Sequence, residues 1–311
     1  MPRPELSPDQ ALVRIRRVGV CGSDFHAFRG SQPVYTYPRV LGHEMSGEVV
    51  DVPETGGGIA IGDRCAIEPY QACGHCRSCR LDRPNCCEQL RVLGIHVDGG
   101  MSGFLRVPAH LLHRSEKLSL DQLALVEPLG IGAHAVQRSK LASGERAIVV
   151  GAGPIGLSVV QFARAAGAEV TVIERSEARR TFARQFTDAV LDTAGDLQAD
   201  VVFDATGNAR AMADSLSLVA PAGRLVFVGL TKEPIALDDS LFHVREITLH
   251  ASRNSAHQFP RIIRMIEEGK IDTAPWINSR LRLREVPEGF DALTERSDLV
   301  KAMINVEEED L

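Results

Sequence analysis

No apolar run in this 311-residue chain reaches the roughly 18–20 residues that a membrane-spanning helix needs. No hydrophobic stretch follows the opening Met1-Pro2-Arg3-Pro4-Glu5, so a secretory signal is not expected and the cytoplasm is the expected location. Positive charge is not in excess. The net charge is -6, and the basic residues are scattered rather than gathered into a stripe, which gives no support for a nucleic-acid partner. Internal repeats and low-complexity segments are also missing. An even cysteine count is lacking too: there are seven, five of them crowded between Cys73 and Cys87. That clustering points to metal rather than disulfides, and to a reducing compartment. What remains is an ordinary soluble composition, 44% hydrophobic and 24% charged, long enough for two domains with a core each.

Up to about residue 125 the chain is rich in Gly, Pro and short β-type runs. Residues 11–19 alternate apolar and polar like a half-buried strand, and 48–52, 64–67 and 103–107 are further strand candidates between glycine-rich turns. The character then changes. Residues 126–138 read as a helix, 146–150 as a buried parallel strand, and 155–166 as a helix ending at Gly167. Strands at 169–173, 200–203, 224–228 and 246–249 alternate with helices at 176–186 and 209–219. That alternation predicts an α/β domain with a doubly wound parallel sheet over 126–255. Residues 256–311 break the pattern, with a helix at 260–269, a strand at 276–283 and further elements at 286–293 and 298–306, and are expected to return to the first domain of residues 1–125. The acidic end, Glu307 to Asp310, reads as a solvated tail.

Gly151-Ala-Gly153-Pro154-Ile155-Gly156 follows the apolar strand and opens the helix, and Glu174 stands 18 residues beyond Gly156. In that context the glycines let the backbone approach a pyrophosphate at a helix N-terminus. Glu174 closes the next strand, where its carboxylate can accept hydrogen bonds from ribose hydroxyls. Its charge would repel a 2′-phosphate, so NAD is favoured over NADP. Arg175 and Arg179 lie near enough to hold a phosphate and keep NADP in play.

Two clusters carry metal-ligand chemistry. Cys73-x-x-Cys76-x-x-Cys79 is followed, after seven residues, by Cys87. The last gap is wrong for a ferredoxin-type cluster and suits a closed, structural zinc site, with Cys86 the competitor to Cys87 as fourth ligand. The second cluster is Cys21-Gly22-Ser23-Asp24-Phe25-His26 with Gly42-His43-Glu44. A mixed Cys/His/carboxylate set can leave a position open for substrate and reads as catalytic. Glu127, an acid in an otherwise apolar stretch, needs a partner or a metal if it is buried. Cys65, in an apolar strand, reads as a small core residue.

Together these residues resemble the zinc-dependent medium-chain dehydrogenases, the alcohol and polyol dehydrogenase family, over nearly the whole chain. The resemblance implies a GroES-like irregular β-barrel catalytic domain beside a Rossmann domain, with a catalytic and a structural zinc. Cys21, His43 and the carboxylate of Glu44 or Glu127 match the catalytic zinc site. Glu127 stands where the polyol branch has Glu in place of a cysteine, and this assigns the chain to that branch. Ser23 matches the hydroxyl that accepts the substrate proton, His26 the relay to solvent, and Asp24 the acid that orients His43. Thr206 and Val228 join the cofactor contacts, and Lys301 falls near a cofactor-phosphate contact.

The stretches Glu68-Pro-Tyr-Gln-Ala-Cys-Gly, Asn85-Cys-Cys, Leu93 to Met101 and Ala251-Ser-Arg-Asn254 are similar to the sugar-acid and polyol subgroup. They imply oxidation of a secondary hydroxyl of a hexonate such as galactonate, gulonate or idonate, with His96, Arg253 or Asn254 touching substrate. A simple alcohol or a threonine-like amino alcohol is the alternative substrate, and a non-catalytic dinucleotide-binding relative the alternative role. Family members usually carry a further segment before the stretch matching Pro4-Glu5-Leu6, and it supplies the first strands of their catalytic domain. They form homodimers and homotetramers.

Overall fold

The computed structural model describes residues 9–31, 35–52 and 58–307. The Pro4-Glu5-Leu6 stretch and the acidic end beyond Glu307 lie outside them. Among the described residues no helix is long and apolar enough to cross a membrane. The chain divides into two units, one of residues up to Glu127 together with those from Phe259 onward, the other Pro128–Gln258.

The alternating segment near the start forms β1 (Gln10–Gly19). Ala11, Val13 and Ile15 are fully buried, while Arg14, Arg16 and Arg17 between and beyond them stay partly exposed. A short helix, α1 (Gly22–Phe28), follows, and then β2 (Glu44–Asp51), β3 (Arg64–Ile67), the ribbon β4 (Tyr70–Gln71) and β5 (Arg91–Val92), β6 (Phe104–Pro108) and β7 (Leu112–Arg114). Helix α2 (Arg77–Arg80) sits inside the cysteine-rich loop, α3 (Leu120–Ala124) ends this part of the chain, and α4 (Val126–Ser139) carries it into the second unit. Val18, Met45, Ile67, Val107 and Leu112 contribute to the core of this unit.

The second unit alternates β8 (Arg146–Val150), α5 (Pro154–Ala165), β9 (Glu169–Ile173), α6 (Glu177–Ala183), β10 (Val190–Leu191), β11 (Ala199–Asp204), α7 (Ala209–Asp214), β12 (Val219–Phe227), α8 (Asp239–Val244) and β13 (Thr248–Ala251). The six strands are parallel in the order β10-β9-β8-β11-β12-β13. The order reverses between β8 and β11, the switch point where such sheets bind ligands beyond their carboxyl ends. Several elements differ from the sequence expectation: β10 and α8 were not foreseen, α6 ends at Ala183 rather than 186, and β12 begins at Val219 rather than 224. The helix expected over 209–219 stops at Asp214 and tightens into a 3₁₀ turn, where the single hydroxyl proton of Ser215 is shared between Ala211 O at 2.8 Å and Asp204 Oδ2 at 2.7 Å. The strand expected from 246 starts at Thr248, because Glu246 takes a φ of 49° at the end of α8.

After α9 (Phe259–Glu267) the chain adds β14 (Ile277–Arg282), α10 (Val286–Thr294) and β15 (Lys301–Asn305) to the first unit. The resulting sheet runs β14-β15-β1-β2-β3-β7, with β6 also paired to β1. Gly19 of β1 pairs with Glu44 on one side and Met303 on the other. Gly19 is required there: a Cβ would lie 2.1 Å from Glu44 Oε2. The missing side chain makes room for the Glu44 carboxylate inside the sheet.

Candidate active site and metal centres

Cys21 is the N-cap of α1, and its backbone N–H donates to Asp24 Oδ2 at 2.9 Å. His43 and Glu44 lie where the chain enters β2. The donor atoms of Cys21, His43 and Glu44 all fall within 4.8 Å of one another. A thiolate, an imidazole and a carboxylate so placed fit a zinc ion with a position left open. Asp24 is fully buried, and its Oδ1 stands 3.6 Å from His43 Nδ1, close enough to orient the ring. Burial opposes a charge on His43, but Asp24 and then Cys21 override it and raise the imidazole well above its ordinary value.

Glu44 has a partner that the sequence reading missed. Lys301 Nζ donates to its two oxygens at 2.6 and 2.7 Å and to Val20 O at 3.1 Å. The ammonium has three donors, and all three point at these oxygens. Both side chains are buried, at 2% and 1% exposure. Lys301 was expected near a cofactor phosphate; the structure turns its ammonium onto Glu44 instead. The visible signal was a lysine inside the apolar run Val300-Lys-Ala-Met-Ile.

Glu127 stands beside this set without belonging to it. Tyr70, also missed, donates a short hydrogen bond to Glu127 Oε1. Burial pushes the Glu127 carboxyl up to about 7, Glu44 adds to the rise, and His43, Tyr70 and Lys301 oppose it. Ser23 and His26 lie one turn apart on α1, with His26 exposed and its Nδ1 3.5 Å from Ser31 Oγ.

The sulfurs of Cys73, Cys76, Cys79 and Cys87 also lie within 4.8 Å of one another, while Cys86 is exposed and outside the group. The Cys76–Cys79 and Cys76–Cys87 separations of 3.5 and 3.9 Å are far beyond a disulfide bond. Backbone N–H groups of Cys73, Cys76 and Gln89 point at these sulfurs at 3.3–3.4 Å. Backbone N–H groups of Cys79 and Glu88 pull the Cys76 thiol down to about 6, whereas burial and the neighbouring sulfurs push Cys79 up to about 12. Four thiolates this close need a cation, and their chemistry fits zinc in a closed shell. Cys65 is fully buried with its thiol raised to about 12, an inert core residue.

In the second unit the carboxyl ends of β8, β9, β11 and β12 carry Gly151, Glu174, Thr206 and Val228. Gly151 has a φ of 95°. Gly153 caps α5, with Pro154 at its first turn and Ile155 next. Glu174 accepts from Ala152 N and Ser176 N, each at 2.8 Å, and so braces the glycine loop. Arg175 and Arg179 are exposed nearby. Asp204, missed in the sequence, accepts from Thr206 N at 2.9 Å and, through its carbonyl, from Val228 N at 2.9 Å. His96 Nδ1 accepts from Val92 N at 3.0 Å and serves its own turn, while Arg253 is exposed and Asn254 has a φ of 49°.

Residues 7–117 match the alcohol dehydrogenase GroES-like domain, and residues 154–268 match the zinc-binding dehydrogenase domain. The chain is 38% identical to L-galactonate-5-dehydrogenase of Escherichia coli K12, over 95% of this chain and 92% of that protein. It is similar to the crystal structure of a zinc-binding dehydrogenase from Sinorhizobium meliloti 1021 bound to NADP, with 29% identity, a TM-score of 0.91, and coverage of 98% of this chain and 94% of that one. It is also similar to an alcohol dehydrogenase from E. coli CFT073 in complex with NADH, with 28% identity, a TM-score of 0.92 and the same coverage. The chain therefore belongs to the zinc-dependent alcohol and polyol dehydrogenases, enzymes that combine a GroES-like domain with a Rossmann domain and work with zinc and a nicotinamide dinucleotide.

Proposed function

We propose that this enzyme oxidises a secondary hydroxyl of a polyol or sugar acid, such as galactonate, gulonate or idonate, to the ketone with NAD. The observation that carries the reading is the donor set of Cys21, His43 and Glu44 within 4.8 Å, with the Glu127 carboxyl alongside. The 38% identity to an L-galactonate-5-dehydrogenase supports the sugar-acid class. Cys21, His43 and either Glu44 or Glu127 would hold the catalytic zinc, and Cys73, Cys76, Cys79 and Cys87 the structural one. When bound, zinc acidifies the substrate hydroxyl and NAD accepts the hydride. Ser23 takes the hydroxyl proton, and the exposed His26 passes it to solvent. Asp24 keeps the His43 ring in its tautomer. Glu174 supports NAD over NADP, since a 2′-phosphate would meet its charge.

The test is NAD reduction across polyols, aldonates, simple secondary alcohols and threonine, on protein whose zinc content is measured first. Preferred oxidation of a polyol or aldonate is expected. A preference for simple alcohols or threonine overturns the substrate class, and NADH binding without turnover overturns the activity.

The reading extends to a homodimer or homotetramer working in the cytoplasm, where free thiols persist. Among the described residues β13 ends its sheet with an unpaired edge, and Leu230, Val244 and Leu249 are 89%, 82% and 38% exposed. Such an edge invites pairing with another chain. Light scattering that returns a monomer mass would overturn this part.

A further inference from the structure

Asp204 ends β11 with none of its surface exposed. Its Oδ1 accepts from Thr206 N at 2.9 Å and from Thr206 Oγ1 at 2.6 Å, and its Oδ2 lies 2.7 Å from Ser215 Oγ. Its carbonyl accepts from Val228 N and Gly229 N, each at 2.9 Å. The residue thus ties the loops beyond β11 and β12 to one another. Its hydrogen bonds are made, but its charge is not matched: among the described residues no lysine, arginine or histidine forms an ion pair with it. A charge buried this deeply is normally paired with a cation. The sheet shows which cation can come. Gly153 and Glu174, beyond the carboxyl ends of β8 and β9, lie on one side of the switch point and suit the pyrophosphate and the adenosine ribose. The other half of the dinucleotide then falls across the switch point, beyond β11 and β12. Thr206 is exposed there and borders the glycine loop, since a Cβ on Gly151 would lie 3.3 Å from Thr206 Cγ2.

We propose that Asp204 is a fixed negative charge that raises the affinity for oxidised cofactor, whose nicotinamide ring is a cation, over reduced cofactor, whose ring is neutral. The inference rests on the dinucleotide reading above and goes beyond it, from holding the cofactor to choosing its redox form. Solvent screens a buried carboxylate little, so its attraction reaches past the loop it holds. An enzyme with this bias captures NAD from a mixture that also contains NADH, and releases the reduced form. The nicotinamide carries the same charge in NADP, so the inference does not depend on which dinucleotide is used.

The test measures dissociation constants for NAD and NADH in wild type and in Asp204→Asn, with NADH followed by its fluorescence and NAD by displacement of NADH. The amide has the shape of the carboxylate, and its oxygen can still accept from Thr206. The constant for NAD should rise about fivefold, while that for NADH stays near the wild-type value. Asp204→Ser, neutral and smaller, repeats the comparison if Asp204→Asn does not fold. An equal rise for both forms overturns the inference and leaves Asp204 as a tie between two loops. Unchanged constants also overturn it, as does failure of both variants to fold, which makes the carboxylate a structural necessity. A wild type that binds neither form overturns the dinucleotide reading itself, and the inference with it.

Discussion

A lysine and a glutamate at 2% and 1% exposure are tolerable only together. Taking one away leaves the other charged in a low-dielectric interior, which costs about 3–5 kcal/mol. Lys301→Met is therefore expected to lower the unfolding free energy by about that amount in a denaturant titration. A loss below about 1 kcal/mol would show that Glu44 finds another partner. The second residue-scale prediction concerns Tyr70. Its hydrogen bond favours the ionised form of Glu127, opposing the burial that pushes this carboxyl to about 7. Tyr70→Phe removes that donor, so the carboxyl should rise further. The acid limb of the pH profile of kcat/KM should move to higher pH, and a limb that stays or moves down contradicts the assignment.

At the scale of elements, Asp121 of α3 joins β1 and β14. It accepts from Arg17 Nε at 3.0 Å and from Arg280 Nη2 at 2.6 Å. Burial alone would raise its pKa, but Arg280 and then Arg17 hold it below the ordinary 3.8. A depressed folded value contributes stability that is complete above the unfolded value and lost as pH falls through the folded one. Asp121→Asn should cost about 1 kcal/mol at neutral pH, and the gap in melting temperature to wild type should close below 3.8. The cysteine loop is held differently. Its helix α2 spans four residues, none buried, and its 3₁₀ turn three, so beyond Asn85 and the buried Cys76 and Cys87 it has little to hold it and depends on its metal. Cys76→Ser should remove one zinc per chain and open residues 73–90 to protease, detectable by mass spectrometry of the fragments. These elements also show what could be read in advance. Cysteine spacing and the glycine loop are local, so periodicity and interval reveal them. Lys301 meets Glu44 across 257 residues and Tyr70 meets Glu127 across 57, and no local pattern encodes such pairs. The early end of α7 depended on Ser215 finding Asp204 in a neighbouring strand, which helix propensity does not contain.

For the whole molecule, the two units should fail independently. The glycines of the dinucleotide loop separate structural need from ligand need. Gly151 requires its positive φ of 95°, and Gly156 approaches Gly151 O so closely that a Cβ would lie at 1.8 Å. Gly153 has no such reason: its φ is -71°, and a Cβ there meets nothing within 4 Å. The space it leaves open suits the backbone approach to a pyrophosphate. Gly153→Val should thus preserve the fold and both zinc ions while NADH affinity falls roughly a hundredfold, about 2.7 kcal/mol. Cys21→Ala should do the reverse. The residue is a partly exposed N-cap of the first unit, so its loss removes one zinc and all turnover but leaves NADH affinity in place. Zinc analysis and NADH fluorescence titration on the two variants check both halves. Loss of zinc in Gly153→Val, or of NADH binding in Cys21→Ala, would show that each unit needs the other to hold its own ligand.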